Sequence, residues 1–208
     1  MIVNRVNVAF DQKSVLKNID GNFNHEQVVN VYGNNGIGKT TLLRVLSGIQ
    51  KPDSGQVIVN GIDLHKNIDK FKGNIRWVPA TERGLFMLVT GLDNVEFFAA
   101  INEISKPELQ RHIENWSRLP IFSEALSKRV NECSTAMRQL LRLFIAVLGR
   151  PWLIFLDEPM RSFDAGTQES VLVILNEYLS TNECVVFLSS PKPFSDERNT
   201  FQIKGLPL

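Results

Sequence analysis

The sequence predicts an α/β protein: a mixed sheet flanked by helices, an antiparallel β portion at the N-terminus, and a helical subdomain inserted in the middle. Three observations lead there. An apolar stretch, Gln27–Tyr32, runs into a glycine-rich loop and then into a helical pattern from Thr41 to Leu46. Strand and helix patterns alternate again from Met137 onwards, as in units that build a parallel sheet. Between these two regions, residues from about Gly91 to Ser127 have helical periodicity and no strand signal.

Taken in order, Ile2–Phe10 alternates apolar and polar residues, the period of a half-buried strand. Asn18–Asn24, with Gly21 and several Asn and Asp residues, reads as a turn. Gln56–Leu64 reads as a hairpin, because Asn60-Gly61 supplies the two residues that tolerate positive φ in a two-residue turn. A short strand, Ile75–Val78, stops at Pro79. In the helical region, Ser105-Lys106-Pro107-Glu108 is a capping box with proline in the first turn, and Leu109, Ile113 and Trp116 fall on one face of the helix it starts. A helix over Met137–Leu148, a strand over Trp152–Leu156, a helix over Thr167–Leu179 and a strand over Val185–Ser189 follow, and Phe201–Ile203 reads as an edge strand.

Composition bounds the function classes. The chain has 208 residues, enough for one domain or one domain with an inserted lobe. An apolar fraction of 43%, a charged fraction of 22% and a net charge of +1 describe an ordinary globular protein and give no electrostatic case for a nucleic-acid partner. Cys133 and Cys184 lie far apart without metal-ligand spacing, which fits a reducing compartment. The N-terminus lacks the apolar core of a signal peptide, and no run approaches the ~18 apolar residues of a spanning helix. The expectation is a cytoplasmic chain. If it works at a membrane, another chain crosses it. His25, His65 and His112 are expected at the solvated surface.

The chemistry lies in two places. Gly33-Asn34-Asn35-Gly36-Ile37-Gly38-Lys39-Thr40-Thr41 completes a G-x-x-x-x-G-K-[ST] phosphate-binding loop between a strand and a helix. Its glycines let backbone N–H groups curl around phosphates, the helix N-terminus adds partial positive charge, and Lys39 reaches the terminal phosphates. Thr40 is placed to bind Mg2+. Leu153–Leu156 is a continuously apolar strand, as a strand buried on both faces should be, and it ends in Asp157 and Glu158. Carboxylates at a strand's C-terminal end sit where doubly wound sheets build their sites. Asp157 would hold Mg2+ through water opposite Thr40, and Glu158 would orient or deprotonate a water attacking the γ-phosphate.

With both halves present, the chain resembles the ATP-binding cassette ATPases of membrane transporters over roughly residues 1–190, built on a P-loop NTPase core. The resemblance implies further assignments. Phe10 lies where that family has the aromatic residue that stacks on adenine. Glu82–Phe86 and Val89–Val95 look like the segment leading into the family's helical subdomain, expected here at about residues 86–136. Asp164, in Ser162-Phe163-Asp164, matches the D-loop. Cys133-Ser134-Thr135-Ala136-Met137-Arg138-Gln139 aligns with the signature motif in a variant common among drug- and polysaccharide-type exporters. In such proteins two cassettes close head to tail around two ATP molecules, so Ser134 and Ala136 would face the nucleotide of a second copy. The resemblance thus implies ATP and Mg2+ as cofactors, a homodimer, separate transmembrane permease subunits, and a peripheral location on the inner face of the cell membrane.

Three positions depart from the pattern. Ala136 replaces the second signature glycine, keeping an N–H but adding a Cβ where backbone approaches phosphate. Ala80, Thr81 or Glu82 stands where the family has a glutamine that contacts Mg2+, and Glu82 offers a substitute oxygen. Pro191 occupies the place of a histidine that contacts the γ-phosphate. These losses touch supporting roles, and Lys39, Thr40, Asp157 and Glu158 remain, so the expectation is ATP binding with slow hydrolysis powering export. A regulatory nucleotide-binding module with little hydrolysis is the alternative. A soluble cassette ATPase acting on ribosomes or DNA is a third reading, against which the near-neutral charge counts.

Overall fold

Val3, Val6 and Val8 are buried in the first strand, β1 (Ile2–Phe10); Val6 and Val8 keep the expected period of two, and a register shift between Val3 and Val6 interrupts it. This computed structural model describes residues 1–24, 27–193 and 200–202, which divide into two units. His25 and Ile203 lie outside the described residues.

The first unit comprises Met1–Trp77, Trp152–Asp157 and the chain from Glu183. In its antiparallel sheet β1 lies between β2 (Lys13–Asn22) and β4 (Ser54–Val59), with β5 (Ile62–Asp63) at the edge. The predicted Asn60-Gly61 turn joins β4 to β5, both residues taking positive φ, 49° and 77°. The segment Asn18–Asn24 is not a turn over its length: up to Asn22 it is strand, paired with β1. Its turn-forming residues serve bulges instead. Asn18 adopts a φ of 47°, its N–H donates to Asn7 Oδ1 at 2.8 Å, and Asp20 accepts from the Arg5 N–H at 2.8 Å.

The second sheet has the order β6 (Ile75–Val78), β7 (Leu153–Leu156), β8 (Val185–Ser190), β3 (Gln27–Tyr32) and β9 (Thr200–Gln202). β7 pairs parallel with β8, β8 with β3, and β3 with β9. Every residue of β7 and β8 is buried, which explains the apolar runs Leu153–Leu156 and Val185–Leu188. Phe187 stacks on Phe155 at 5.0 Å and meets Phe23 edge-on at 4.9 Å. Leu42, Leu43, Val45 and Leu46 of α1 (Lys39–Leu46) complete this core.

The second unit comprises Val78–Pro151 and Glu158–Asn182. Its helices are α2 (Gly91–Ile101), α3 (Lys106–Trp116), α4 (Pro120–Ser127), α5 (Thr135–Val147) and α6 (Ala165–Leu179). Ser105 caps α3 by accepting from the Glu108 N–H at 3.4 Å, with Pro107 in the first turn. A capping box not anticipated from sequence starts α2: Thr90 Oγ1 accepts from the Asp93 N–H, and the Asp93 carboxylate accepts from the Thr90 N–H. Trp116, Phe122 and Phe144 pack mutually, with centroids 5.0–5.7 Å apart, and tie α3, α4 and α5 together. Among the described residues no helix is long and apolar enough to cross a membrane.

Candidate nucleotide site

The glycine loop between β3 and α1 is shaped by its sequence. Gly38, the residue before α1, has a φ of 108°, and a Cβ there would lie 3.1 Å from side-chain carbons of both Val15 and Leu16. Both backbone and packing therefore demand glycine. No side chain caps α1, which leaves its N-terminal end without a competing acceptor of that kind. Asn34, Asn35 and Gly36 are exposed, while Gly33, Ile37, Gly38, Thr40 and Thr41 are half-buried.

Lys39 is buried at 6% exposure, and its ammonium donates to the carbonyls of Gly33 at 2.8 Å and Asn34 at 3.1 Å. The lysine thus curls back over its own loop, its charge held against backbone oxygens. Thr40 Oγ1 lies 2.9 and 3.1 Å from the two carboxylate oxygens of Asp157. Asp157 is buried at the end of β7 and accepts a second hydroxyl hydrogen bond, from Ser189 at 2.8 Å. Hydroxyl and carboxylate oxygens are the hard donors Mg2+ takes, usually one or two from protein with phosphates and waters completing the shell, so this donor set fits that ion. The loop and the acidic strand end, far apart in sequence, are brought together here.

Ser189 is the site residue that sequence reasoning missed. Parallel pairing of Leu156 with Leu188 puts the next residues, Asp157 and Ser189, side by side at the strand ends. The strand-end hydroxyl is visible in sequence, but its partner depends on the register between strands. One residue on, Ser190 Oγ approaches Asn30 Oδ1 at 2.7 Å inside the sheet. Phe10, at the end of β1, is 49% exposed, its ring available to a flat partner.

Of the remaining predicted residues, Glu158, Ser134, Ala136, Asp164, Glu82 and His112 belong to the second unit, and Pro191 and His65 to the first. Glu158 has a φ of 48°, a left-handed conformation uncommon for a residue with a side chain, and pairs with Arg161 at 3.6 Å. Ser134 is the N-cap of α5, its hydroxyl accepting from the Met137 N–H at 3.2 Å, and Ala136 is half-buried in the first turn. Asp164 caps α6, accepting from the Thr167 N–H at 2.9 Å and its hydroxyl at 3.1 Å, and these bonds hold its carboxyl below the ordinary range. Glu82 is engaged by Thr135 at 3.2 Å and Arg138 at 2.7 Å. Pro191 is exposed, just beyond β8. His65 and His112 are half-buried and not fully solvated, and burial pushes both below the ordinary imidazole value.

The profile of the family described as ABC transporter matches residues 16–161. The chain is 26% identical over 182 residues to the ABC transporter ATP-binding protein NatA of Bacillus subtilis, covering 86% of this chain and 74% of that protein. It is 28% identical over 177 residues to the spermidine/putrescine import ATP-binding protein PotA of Fusobacterium nucleatum, covering 84% of this chain and 46% of that one. The chain spans about half the length of PotA and of several further curated relatives it matches. Among solved structures, a putative ABC transporter ATP-binding protein from Pyrococcus furiosus superimposes with a TM-score of 0.82 at 27% identity, covering 97% of this chain and 96% of that one. The chain belongs to the ABC transporter family, as an ATPase domain of that family.

Proposed function

We propose that this chain is the ATP-binding and ATP-hydrolysing subunit of a multi-chain transporter, working as a homodimer with separate transmembrane permease subunits at the inner face of the cell membrane. The observation that carries this is the meeting of Lys39, Thr40 and Asp157 around the glycine loop. Lys39 exchanges the Gly33 and Asn34 carbonyls for terminal phosphates of ATP, and the loop N–H groups from Gly36 to Thr41 cradle the rest. Thr40 and Asp157 hold Mg2+, which when bound neutralises charge on the phosphate oxygens. Glu158 orients or deprotonates the attacking water. Phe10 stacks on adenine.

Ser134 and the N–H of Ala136, at the start of α5, and Asp164, at the start of α6, face the ATP held by a second copy. Closure around two nucleotides and reopening after hydrolysis drive the membrane partner. Support for that partner comes from exposed apolar side chains on and before α2: Phe86, Leu88, Phe97 and Ile101, of which Leu88 is 78% exposed. An exposed apolar group of this size marks an interaction surface.

The Ser134–Met137 variant of the signature supports export as the direction. Import is the second reading, favoured by the names of relatives such as PotA. Both are tested by reconstituting the chain with its membrane subunits in vesicles and following ATP-dependent movement of cargo inward or outward. Hydrolysis itself is tested by comparing turnover of the chain with that of Glu158→Gln. A large drop supports Glu158 as the base, and equal rates remove it from the mechanism.

A further inference from the structure

Segment 79–82, which follows β6, is fastened to helix α5 at two heights. At the lower rung, the buried Arg142 guanidinium donates to the Pro79 carbonyl and, at 2.9 Å, to Gln139 Oε1. At the upper rung, Glu82 accepts from Arg138 Nε at 2.7 Å through one carboxylate oxygen and from Thr135 Oγ1 at 3.2 Å through the other. Arg138 also reaches the Cys133 carbonyl and lies 3.4 Å from Thr135 Oγ1. Thr135, Arg138 and Arg142 stand three and four residues apart, so they line one face of α5. The Arg138 side chain is 17% exposed and that of Glu82 44%, so the upper rung is only partly screened by water.

Both oxygens of Glu82 are therefore committed to the first turn of α5. A residue standing free to ligate a metal would not be so held. The same turn carries Ser134 and Ala136, the residues proposed above to face a second copy's ATP.

We infer that Glu82 is a positioning residue for the ATPase: its paired bonds to Thr135 and Arg138 fix segment 79–82 to the signature turn of α5, so that the two move as one piece during the cycle. The inference rests on the proposed role of that turn. In its absence, Glu82 and Arg138 still form the lock, but without consequence for turnover. Because the lock works through charge and geometry, it is rebuilt by exchanging its two ends.

Glu82→Gln, Arg138→Gln and the exchanged pair Glu82→Arg with Arg138→Glu, each made in the full chain, test it by two readouts. The first is amide hydrogen exchange of segments 79–86 and 133–142 without nucleotide. Exchange accelerates about fivefold in each single variant, the loss of roughly one partly exposed ion pair, and the exchanged pair recovers most of the protection. The second is ATPase turnover. The single variants lower kcat while KM and the Mg2+ concentration at half-maximal rate stay within about twofold, since substrate binding is not what the lock supports. Unchanged exchange in the single variants, or an exchanged pair no better than either, overturns the lock. A raised Mg2+ requirement in Glu82→Gln overturns the positioning role and makes Glu82 a metal ligand. Faster exchange with unaltered kcat, in a wild-type chain that hydrolyses ATP, also overturns it. Failure of the functional reading has a different signature, a wild-type chain with no ATP affinity at all.

Discussion

Ser189 donates its hydroxyl to the Asp157 carboxylate at 2.8 Å, across the ends of two parallel strands. Thr40 donates to the same carboxylate, so a buried acid is shared by the phosphate loop and the strand beside it. Removing one donor leaves that buried acid less well satisfied. Ser189→Ala should lower unfolding free energy by ~1–2 kcal/mol and raise the Mg2+ concentration needed for half-maximal turnover, while Ser189→Thr should preserve both. Denaturant melts and Mg2+ titrations of the three proteins check this. An unmoved melt in Ser189→Ala would mean the bond contributes nothing.

The start of α2 depends on a missing side chain. A Cβ on Gly91 would lie 2.2 Å from the Ala125 carbonyl oxygen and 2.9 Å from its carbon, in helix α4. Backbone cannot yield as a flexible side chain would, so Gly91→Ala should destabilise by roughly 1–3 kcal/mol. A urea titration of that variant would detect the shift in midpoint. Gly61→Ala, by contrast, meets open space, so any loss there comes only from its φ of 77°.

Stability should also respond to pH through two histidines. Burial holds His65 and His112 below their ordinary value of 6.5, so the unfolded chain binds these protons more readily than the folded one. Stability from them is present above about pH 6.5 and is lost as pH falls through the folded values. His65 adds a buried Nε2 with no hydrogen-bond partner among the described residues. The thermal midpoint should therefore drop between about pH 7.5 and 5.5, and a His65→Asn/His112→Gln protein should show a flatter profile over that window. Parallel profiles for the two proteins would assign the acid sensitivity to other groups.

Two exchanges at Asp164 separate its cap from the role proposed for it in a second copy's site. Its carboxylate caps α6 through the Thr167 N–H, so Asp164→Ala should cost helix stability of about 1 kcal/mol. Asp164→Ser keeps a capping oxygen and should restore the melt. If turnover stays low in the Ser variant, the carboxylate acts in the dimeric site as well as in the cap.

What could be read from the sequence was what neighbouring residues decide among themselves. The loop from Gly33 to Thr41, the Asn60-Gly61 turn, the Ser105 cap and the apolar runs Leu153–Leu156 and Val185–Leu188 each carry their own local signal. Asn18 and Asp20 misled because the same residue types that make turns also satisfy bulges, and only the partner strand decides between them. The partnerships of Ser189 and Glu82 were hidden for a related reason. Their partners, Asp157 and Arg138, are 32 and 56 residues away, and the pairing depends on strand register and on which helix face is presented. The half-burial of His65 and His112 follows from packing that no single-residue pattern announces.

Equilibrium titration of the chain with ATP in the presence of Mg2+, beside Lys39→Ala and Asp157→Asn, bears most directly on the nucleotide site. Binding by the unaltered chain should weaken at least about tenfold in Lys39→Ala, and the Mg2+-dependent part of the affinity should disappear in Asp157→Asn. Equal affinities in all three proteins, or none in the first, would contradict a nucleotide held between the glycine loop and the end of β7.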